Sequence, residues 1–439
     1  MSKVIIVGAG IGGVSAAHRL QKKGHDITLY EKADFVGGRM KSVSLDGFKI
    51  DVGAGILPGA YTETLQLIRE AGLGDMMETV KGNCIFLRDG KEYALDMAAM
   101  ATSMLKTGLI SWRSKLSLAK LGLSICCNYG RLTFHNGGLA AGLDSESVAD
   151  YCRRNFPSEV NDYLLGPFVR TMYLHSPEEA PLAELLWCMK NLTGQPFSLT
   201  GGMDALARKL AEGMDIRLNT AVKEVRNCGT HVEVVICHDG LERVESADYC
   251  IIATDAPSLY GLYASGLTKR QRAYLENLRY SRDIVITFCL DAEPAIDAIL
   301  VQVPEDVDPE LAALVIDNKK GEGRAPPGKG MVTAHFIHGW GERMFSESDE
   351  VILESARAKV ARIIPEVATN LETYHIERWH KAATLAECGT FEALTGFMDD
   401  IDAQSRVQLC GDYMSLSSVN VAVVTSRIAA DNILSLAPT

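Results

Sequence analysis

The sequence predicts an α/β protein in which a discontinuous unit, built on a parallel βαβ sheet, is interleaved with a second unit of mixed α+β character. Three observations carry this. A β-branched run at Lys3 to Val7 is followed by a glycine-rich turn, an apolar-faced helix and a second strand at Asp26 to Tyr30. Strand and helix signals of the same kind return in the middle of the chain and again at its C-terminal end, separated by two long segments of different pattern. At 439 residues the chain is also too long for one simple core and fits two.

Taken in order, Gly8 to Gly13 forms the first turn. Val14 to Lys23 reads as a helix with Ala16, Ala17 and Leu20 facing inward, and Gly24 stops it. The strand Asp26 to Tyr30 ends at Glu31, and the crossover is expected to be right-handed. From about Tyr61 to Lys190 the pattern is mostly helical, with an amphipathic section at Ser111 to Cys127. Gly201-Gly202-Met203 opens a helix running to Ala211, followed by strands with turns at Cys228-Gly229 and Asp239-Gly240. Between Thr268 and Tyr374 come a helix, a strand at Ile284 to Leu290, a Pro/Gly-rich loop at 321–330, a strand at Met331 to Ile337 and a helix at Ser348 to Ile364. A last strand at Val407 to Cys410 leads into the final helix. This alternation assigns residues 1–75, 196–262 and 375–439 to the first unit, and 76–195 and 263–374 to the second.

Composition narrows the function classes. The formal net charge of −12 argues against nucleic acid and anionic membrane surfaces as partners, because both reward clustered Lys and Arg. Eleven cysteines without Cys-x-x-Cys or framework spacing read as reduced thiols, and no Cys/His cluster has zinc-ligand spacing, so no metal is expected. The longest stretch free of Asp, Glu, Lys and Arg is Tyr413 to Ser426, too short to span a bilayer. A cytoplasmic location is expected. Ser111 to Cys127, with Arg113, Lys115 and Lys120, has a membrane-surface reading. The expectation is instead a packed helix of the second unit, and membrane association is not expected.

Gly8, Gly10 and Gly13 form G-x-G-x-x-G, with Ile11 and Gly12 between them. Gly8 permits the tight turn, Gly10 lets backbone approach a pyrophosphate, and Gly13 lets the helix pack close to the strand. The pyrophosphate then meets unpaired N–H groups at the helix N-terminus. Glu31, eighteen residues past Gly13 at the end of the second strand and followed by Lys32, is placed to accept hydrogen bonds from the adenosine ribose hydroxyls. Gly37-Gly38-Arg39 adds bare backbone and a fixed guanidinium for a diphosphate. Gly53, Ala54 and Gly55, followed by Ile56, are small enough for a flat ring to lie against backbone. A nicotinamide dehydrogenase does not need these additions.

Four blocks in order, "GAGIGG…YEK…VGGR", "DVGAGI", "GGMDALARKLAEGMDIRLNTAVKEV" and "LCGDY…SSVNVAVVTSRIAA", resemble the flavin-containing amine oxidase, protoporphyrinogen oxidase and phytoene desaturase superfamily, which binds FAD. The resemblance implies a discontinuous Rossmann-like FAD-binding domain, glutathione-reductase-like in class, with an interleaved α+β substrate domain. It implies that Val222 contacts adenine through its backbone, and that Asp412, after Gly411, contacts the diphosphate–ribityl region. It also implies that the last helix, beginning near Val419, aims the N–H groups around Asn420 and Val421 at the flavin. Trp379 in "ERWHKAAT" matches an aromatic beside the cofactor, although Thr384 stands where the family pattern has Pro.

There is no second G-x-G-x-x-G, so an organic substrate is expected to reduce the flavin by hydride transfer to N5, with O2 or another acceptor reoxidising it. Two chemistries compete. Amine oxidases of the family carry a Lys where "SRDIVITFCL" has Asp283, and an aromatic ring where this chain has Ser417-Ser418. Both departures weigh against C–N oxidation. "LLGPFVRTMYLHSPEEAPL" is similar to the Pro-Phe helix of the desaturating branches. The reading is therefore dehydrogenation of a C–C bond in a small, mostly apolar, cyclic substrate. The alternatives are amine oxidation and a non-catalytic FAD-binding member. Desaturation also needs a group to take the second hydrogen. Tyr413, His335, Tyr173, His175 and His338 are candidates, with His335 and His338 on opposite faces if both lie on a strand. Arg170, on the Pro-Phe helix, is a candidate for binding a substrate carboxylate. Oligomeric state is not specified.

Overall fold

The computed structural model describes residues 1–437. Five short strands form one parallel sheet in the order Val407–Leu409, Tyr249–Ile252, Lys3–Val7, Asp26–Tyr30, Asp215–Arg217. Strand Lys3–Val7 sits at its centre with Val4, Ile5 and Ile6 fully buried, which explains its unbroken β-branched run. The helix Ile11–Gln21 starts three residues earlier than the sequence pattern suggests, because Gly12 and Gly13 are already helical. It packs against the helices Asp204–Ala211 and Val419–Leu436. An antiparallel sheet of Thr220–Asn227, Val232–His238 and Leu241–Ala247 adjoins this layer. Segments from the start, middle and end of the chain thus share one sheet.

The second sheet has seven strands in the order Leu371–Trp379, Asp283–Leu290, Gly330–Phe336, Leu311–Ile316, Leu300–Gln302, Asn83–Arg88, Lys91–Asp96. All neighbours are antiparallel except Leu300–Gln302 with Asn83–Arg88. Side chains alternate across it. Ile284, Ile286, Phe288, Leu314, Val332, Ala334 and Phe336 face one side, where they pack with Trp340 and with Ile352, Ala356 and Val360 of the helix Asp349–Val360. The opposite face carries Asp283, Val285, Ala313, Val315, Thr333 and His335 and borders a large cavity.

The structure corrects three expectations. The segment from Tyr61 to Lys190 contains strands Met77–Thr79, Asn83–Arg88 and Lys91–Asp96. His335 lies on a strand, but His338 begins the helix His338–Met344. Strand Leu371–Trp379 belongs to the seven-stranded sheet over its whole length, so a boundary at residue 375 cuts through a strand. Among the described residues no helix is long and apolar enough to cross a membrane. All eleven cysteines are free.

A buried ion cluster joins the seven-stranded sheet to the two-stranded hairpin of Ser42–Leu45 and Phe48–Asp51. Asp51, on strand Phe48–Asp51, accepts from Arg324 at 2.6 Å and from Lys320 at 3.2 Å, and Lys320 also reaches Asp317 at 2.5 Å. Burial would raise the Asp51 carboxyl, but Lys320 and Arg324 hold it below its ordinary value. Replacing only the anion leaves two buried cations short of a partner. Asp51→Ala should therefore cost about 3–5 kcal/mol, read as a lower urea midpoint at unchanged slope.

Candidate functional site

A cavity of about 1400 Å³ runs from the edge of the parallel sheet to the open face of the seven-stranded sheet. At its first end lie Gly8, Gly10, Ile11, Gly12, Glu31 and Lys32. Gly8 adopts φ +99°, and a methyl group on it would sit 2.8 Å from the Ala253 carbonyl oxygen. A methyl on Gly13 would sit 1.9 Å from the Gly8 carbonyl oxygen, so Gly13 closes helix onto turn and does not itself line the cavity. At Gly10 no atom lies within 4 Å of an added methyl, so bare backbone faces open space. The Glu31 carboxylate accepts from the Ala9 amide at 2.7 Å and the Ala33 amide at 2.9 Å, which fixes it at the cavity wall. Val222 lines the same end, and a bulge between Val222 and Glu224 interrupts strand pairing there.

Midway, Gly38 and Arg39 meet Gly411 and Asp412. The Arg39 guanidinium donates to Asp412 at 2.7 Å and to the Ala382 carbonyl at 3.0 Å. Burial alone would lower Arg39, but the Asp412 carboxylate beside it raises it above its ordinary value, so the charge is permanent. Asp412 also accepts from Ser417. Gly53, Ala54, Gly55 and Ile56 follow along the wall. A methyl on Gly53 would lie 2.0 Å from the Arg39 carbonyl oxygen, so the loop packs flat onto the arginine backbone.

The last helix begins at Val419, as the sequence implies, and Ser418 caps it by accepting from the Val421 amide at 3.2 Å. Ser418, Val419 and Ala422 line the cavity, whereas Asn420 and Val421 do not. This corrects the expectation for those two. The Val421 amide is taken by the cap, and the Asn420 side chain accepts from the Thr64 amide and hydroxyl, stapling the helix to Thr62–Glu70. The helix N-terminus itself still faces the cavity through Ser418 and Val419.

At the far end the wall is mainly apolar, with Leu164, Phe168, Met172, Val285, Leu300 and Val315 on it. Asp283 is the outstanding polar group. It pairs in register with Trp379, whose Nε1–H donates to the Val52 carbonyl at 2.7 Å. Asp283 therefore sits at the seam between the Gly53–Gly55 loop and the sheet. Its Oδ1 has no hydrogen-bond partner, and burial pushes the carboxyl up to about 7, against a smaller lowering by the Ile284 amide. His335 also lines the cavity, and burial lowers it to about 4, so its imidazole is neutral at physiological pH.

The other five candidates stand elsewhere. Arg170 is buried with its guanidinium on the carbonyls of Asp308, Pro309 and Leu311, and it does not line the cavity. It ties a helix to a loop and is not placed to receive a carboxylate. The Tyr173 hydroxyl donates to the Glu184 carbonyl at 3.2 Å and contacts Cys188, and His175 pairs with Glu184 at 2.9 Å, all outside the cavity. Tyr413 is fully buried against Phe397 and behind the wall. His338 faces Glu179 at 3.4 Å. Sequence reasoning overlooked Lys320, which lines the cavity between Asp51 and Asp317, because its partners are assembled only by the fold. It also overlooked a hairpin-tip grouping of Cys228, His231 and Glu233, whose ligand atoms lie within 4.8 Å of one another; none of the three lines the cavity.

The glycine cradle, the fixed Arg39 charge, the flat Gly53–Gly55 loop and the helix N-terminus fit a long dinucleotide ending in a flat ring. Comparison with known proteins points the same way. The family model described as flavin containing amine oxidoreductase matches residues 11–434. The mitochondrial protoporphyrinogen oxidase of Nicotiana tabacum is 29% identical over 170 residues, which is 38% of this chain and 32% of that protein. The match thus spans about a third of that relative's length. Among solved structures, a putrescine oxidase bound to putrescine is similar with a TM-score of 0.81 at 18% identity, covering 99% of both chains. The cyclohexylamine oxidase from Brevibacterium oxydans is similar with a TM-score of 0.79 at 17% identity, again covering 99% of both.

Gly13→Ala drives a methyl into backbone that cannot swing aside, and a loss of several kcal/mol in cofactor-linked stability, on the order of 3, is expected. The check is the flavin-to-protein absorbance ratio after purification, which should fall well below that of the parent. Arg170→Met should lower thermal stability and leave KM unchanged for every oxidisable substrate.

Proposed function

The chain belongs to the flavin-containing amine oxidoreductase family and is an FAD-dependent oxidoreductase, and on that premise we propose that it dehydrogenates a C–C bond of a small, mostly apolar, cyclic substrate. The observation that carries this reading is the far wall of the cavity, where a mainly apolar sheet face carries Asp283, a buried carboxyl whose Oδ1 has no partner. When bound, FAD supplies a hydride acceptor at its N5. Removing hydride from one carbon leaves its neighbour to lose a proton. In this reading Asp283 takes that proton, since a carboxyl poised near 7 is matched to such a transfer at neutral pH. His335, neutral and on the same sheet face, offers a hydrogen bond to a substrate carbonyl. The N-terminus of the last helix favours negative charge accumulating in the cavity. O2 or another acceptor then removes the electrons.

Apolar lining binds a neutral ring by excluding water and strengthens the pull of each polar group within it. Lys320 does not serve as a free cation, because it is shared between Asp51 and Asp317. A second reading, oxidation of an amine, is favoured by the same unpartnered Asp283 oxygen, which can accept from an ammonium group.

Anaerobic addition of cyclic ketones, polyenes and amines to the yellow holoprotein separates the two. Bleaching by cyclic ketones and not by amines is the expected outcome; the reverse establishes C–N oxidation. Asp283→Asn should lower kcat by about 10²-fold or more and abolish the rise in kcat/KM with pH through about 7. The same variant tests the linkage. A carboxyl raised in the folded state makes the parent lose stability as pH rises from its unfolded value, near 4, to about 7. Asp283→Asn should therefore raise Tm above about pH 7 and have little effect near pH 4.

A further inference from the structure

Strands Thr220–Asn227 and Val232–His238 form a hairpin whose tip is Cys228-Gly229-Thr230-His231. The Cys228 amide donates to the His231 carbonyl at 3.0 Å, and Gly229 takes φ +81°, a conformation that favours glycine. Further hydrogen bonds pin the turn. The Gly229 amide donates to the Asn227 side chain at 3.1 Å, and the Arg406 guanidinium donates to the Gly229 carbonyl at 2.8 Å. Asn227 pairs with Val232, and Arg226 with Glu233. Side chains alternate along each strand, so Arg226, Cys228, His231 and Glu233 share one face of the hairpin.

Three different metal-binding groups meet on that face. The Cys228 sulfur, an imidazole nitrogen of His231 and a carboxylate oxygen of Glu233 lie within 4.8 Å of one another. The His231 Nδ1 is 3.1 Å from the Thr230 hydroxyl, which leaves Nε2 as the nitrogen facing Glu233 Oε1, at 3.8 Å. That gap is too long for a hydrogen bond. It is close to the separation of about 3.4–3.6 Å between two ligand atoms of one tetrahedral zinc ion at ordinary bond lengths. The other Glu233 oxygen faces Arg226 at 3.7 Å, and Arg226 is itself held by Glu224 at 2.6 Å, so the carboxylate is turned with Oε1 toward His231. Cys228 is exposed, so its thiol can close the remaining gap by rotating about χ1 without repacking a core.

We infer that this hairpin tip binds one zinc ion through Cys228, His231 and Glu233, with water in the fourth position. Thiolate, imidazole and carboxylate donors together suit borderline-soft Zn2+, whereas Mg2+ and Ca2+ take oxygen ligands. Binding displaces the Cys228 thiol proton to solvent. The Thr230 hydroxyl accepts from Nδ1–H of His231, which fixes the tautomer that offers the Nε2 lone pair to the metal. In sequence the ligands stand only as Cys-x-x-His-x-Glu, with no second Cys/His pair to mark them as a zinc site. None of the three lines the cavity, so the ion is a clasp and not a reaction centre. It cross-links the tip of a hairpin whose other end carries Thr220 and Val222 into the cavity wall. The inference does not depend on which substrate bond is oxidised.

The test is equilibrium dialysis of the FAD-loaded protein, kept reduced, against ZnCl2, together with the absorption difference spectrum when CoCl2 replaces zinc. The parent should bind one zinc per chain more than Cys228→Ser or His231→Asn, because the exposed thiols of Cys126, Cys127 and Cys388 remain in both variants. Co2+ should give the ligand-field bands of a four-coordinate site, in the red where oxidised flavin is transparent, and both variants should lose them. Thr230→Val keeps all three ligands and should weaken binding about tenfold to a hundredfold. None of these side chains lines the cavity, so flavin content should stay as in the parent. If a variant loses its flavin, the cobalt spectrum of the parent decides. Parent protein that takes up no zinc overturns the inference, as does zinc held equally by Cys228→Ser and His231→Asn. A parent whose cobalt spectrum is only that of the hydrated ion also overturns it.

Discussion

The ion pair between Arg39 and Asp412 joins segments 373 residues apart, and the placement of the cavity depends on it. Asp412 is buried, so without a fixed cation beside it the carboxylate would pay a large desolvation cost. Arg39 supplies that cation. It also brings the loop after the first βαβ unit against the start of the final helix. Gly53 can then lie flat on the Arg39 backbone, and the helix N-terminus reaches the cavity through Ser418 and Val419. A long dinucleotide needs separate grips at its two ends. Here the two grips are held in register by one charge pair and by strands from both chain termini in one sheet.

The second constraint is the two-residue period of the seven-stranded sheet. Because Ile284, Ile286 and Phe288 must face the helix Asp349–Val360, Asp283 and Val285 must face the other way. The same alternation on strand Gly330–Phe336 turns His335 toward the cavity while Ala334 and Phe336 enter the core. The polar groups of the cavity are therefore carried on a rigid, well-packed layer. Asp51, Lys320, Arg324 and Asp317 join this layer to the hairpin that carries the Gly53–Gly55 loop, and so fix the distance between the two halves of the cavity.

Local signals were legible in the sequence wherever local chemistry decided the structure. The strands Lys3–Val7 and Asp26–Tyr30 and the start of the last helix at Val419 match expectation, because β-branched runs, glycine spacing and a Ser cap are short-range features. Strand Asn83–Arg88 joins the sheet through Leu300–Gln302, more than two hundred residues away, whereas its hairpin with Lys91–Asp96 is local and its Asp89-Gly90 turn was a signal the sequence reading passed over. For Arg170, Tyr173 and Tyr413, a side chain on a helix or turn can face either way, and tertiary packing decided against the cavity. Asp283 was seen only as a departure from a family pattern. Its unpartnered oxygen and raised carboxyl come from burial, which no local run of residues encodes.

The most direct measurement is the flavin released on denaturing the purified protein, quantified against protein and repeated after apoprotein is incubated with FAD. One FAD per chain is expected, with the apoprotein regaining its yellow colour. A folded chain that stays colourless after that incubation would contradict the central claim that these distant segments close on a single FAD.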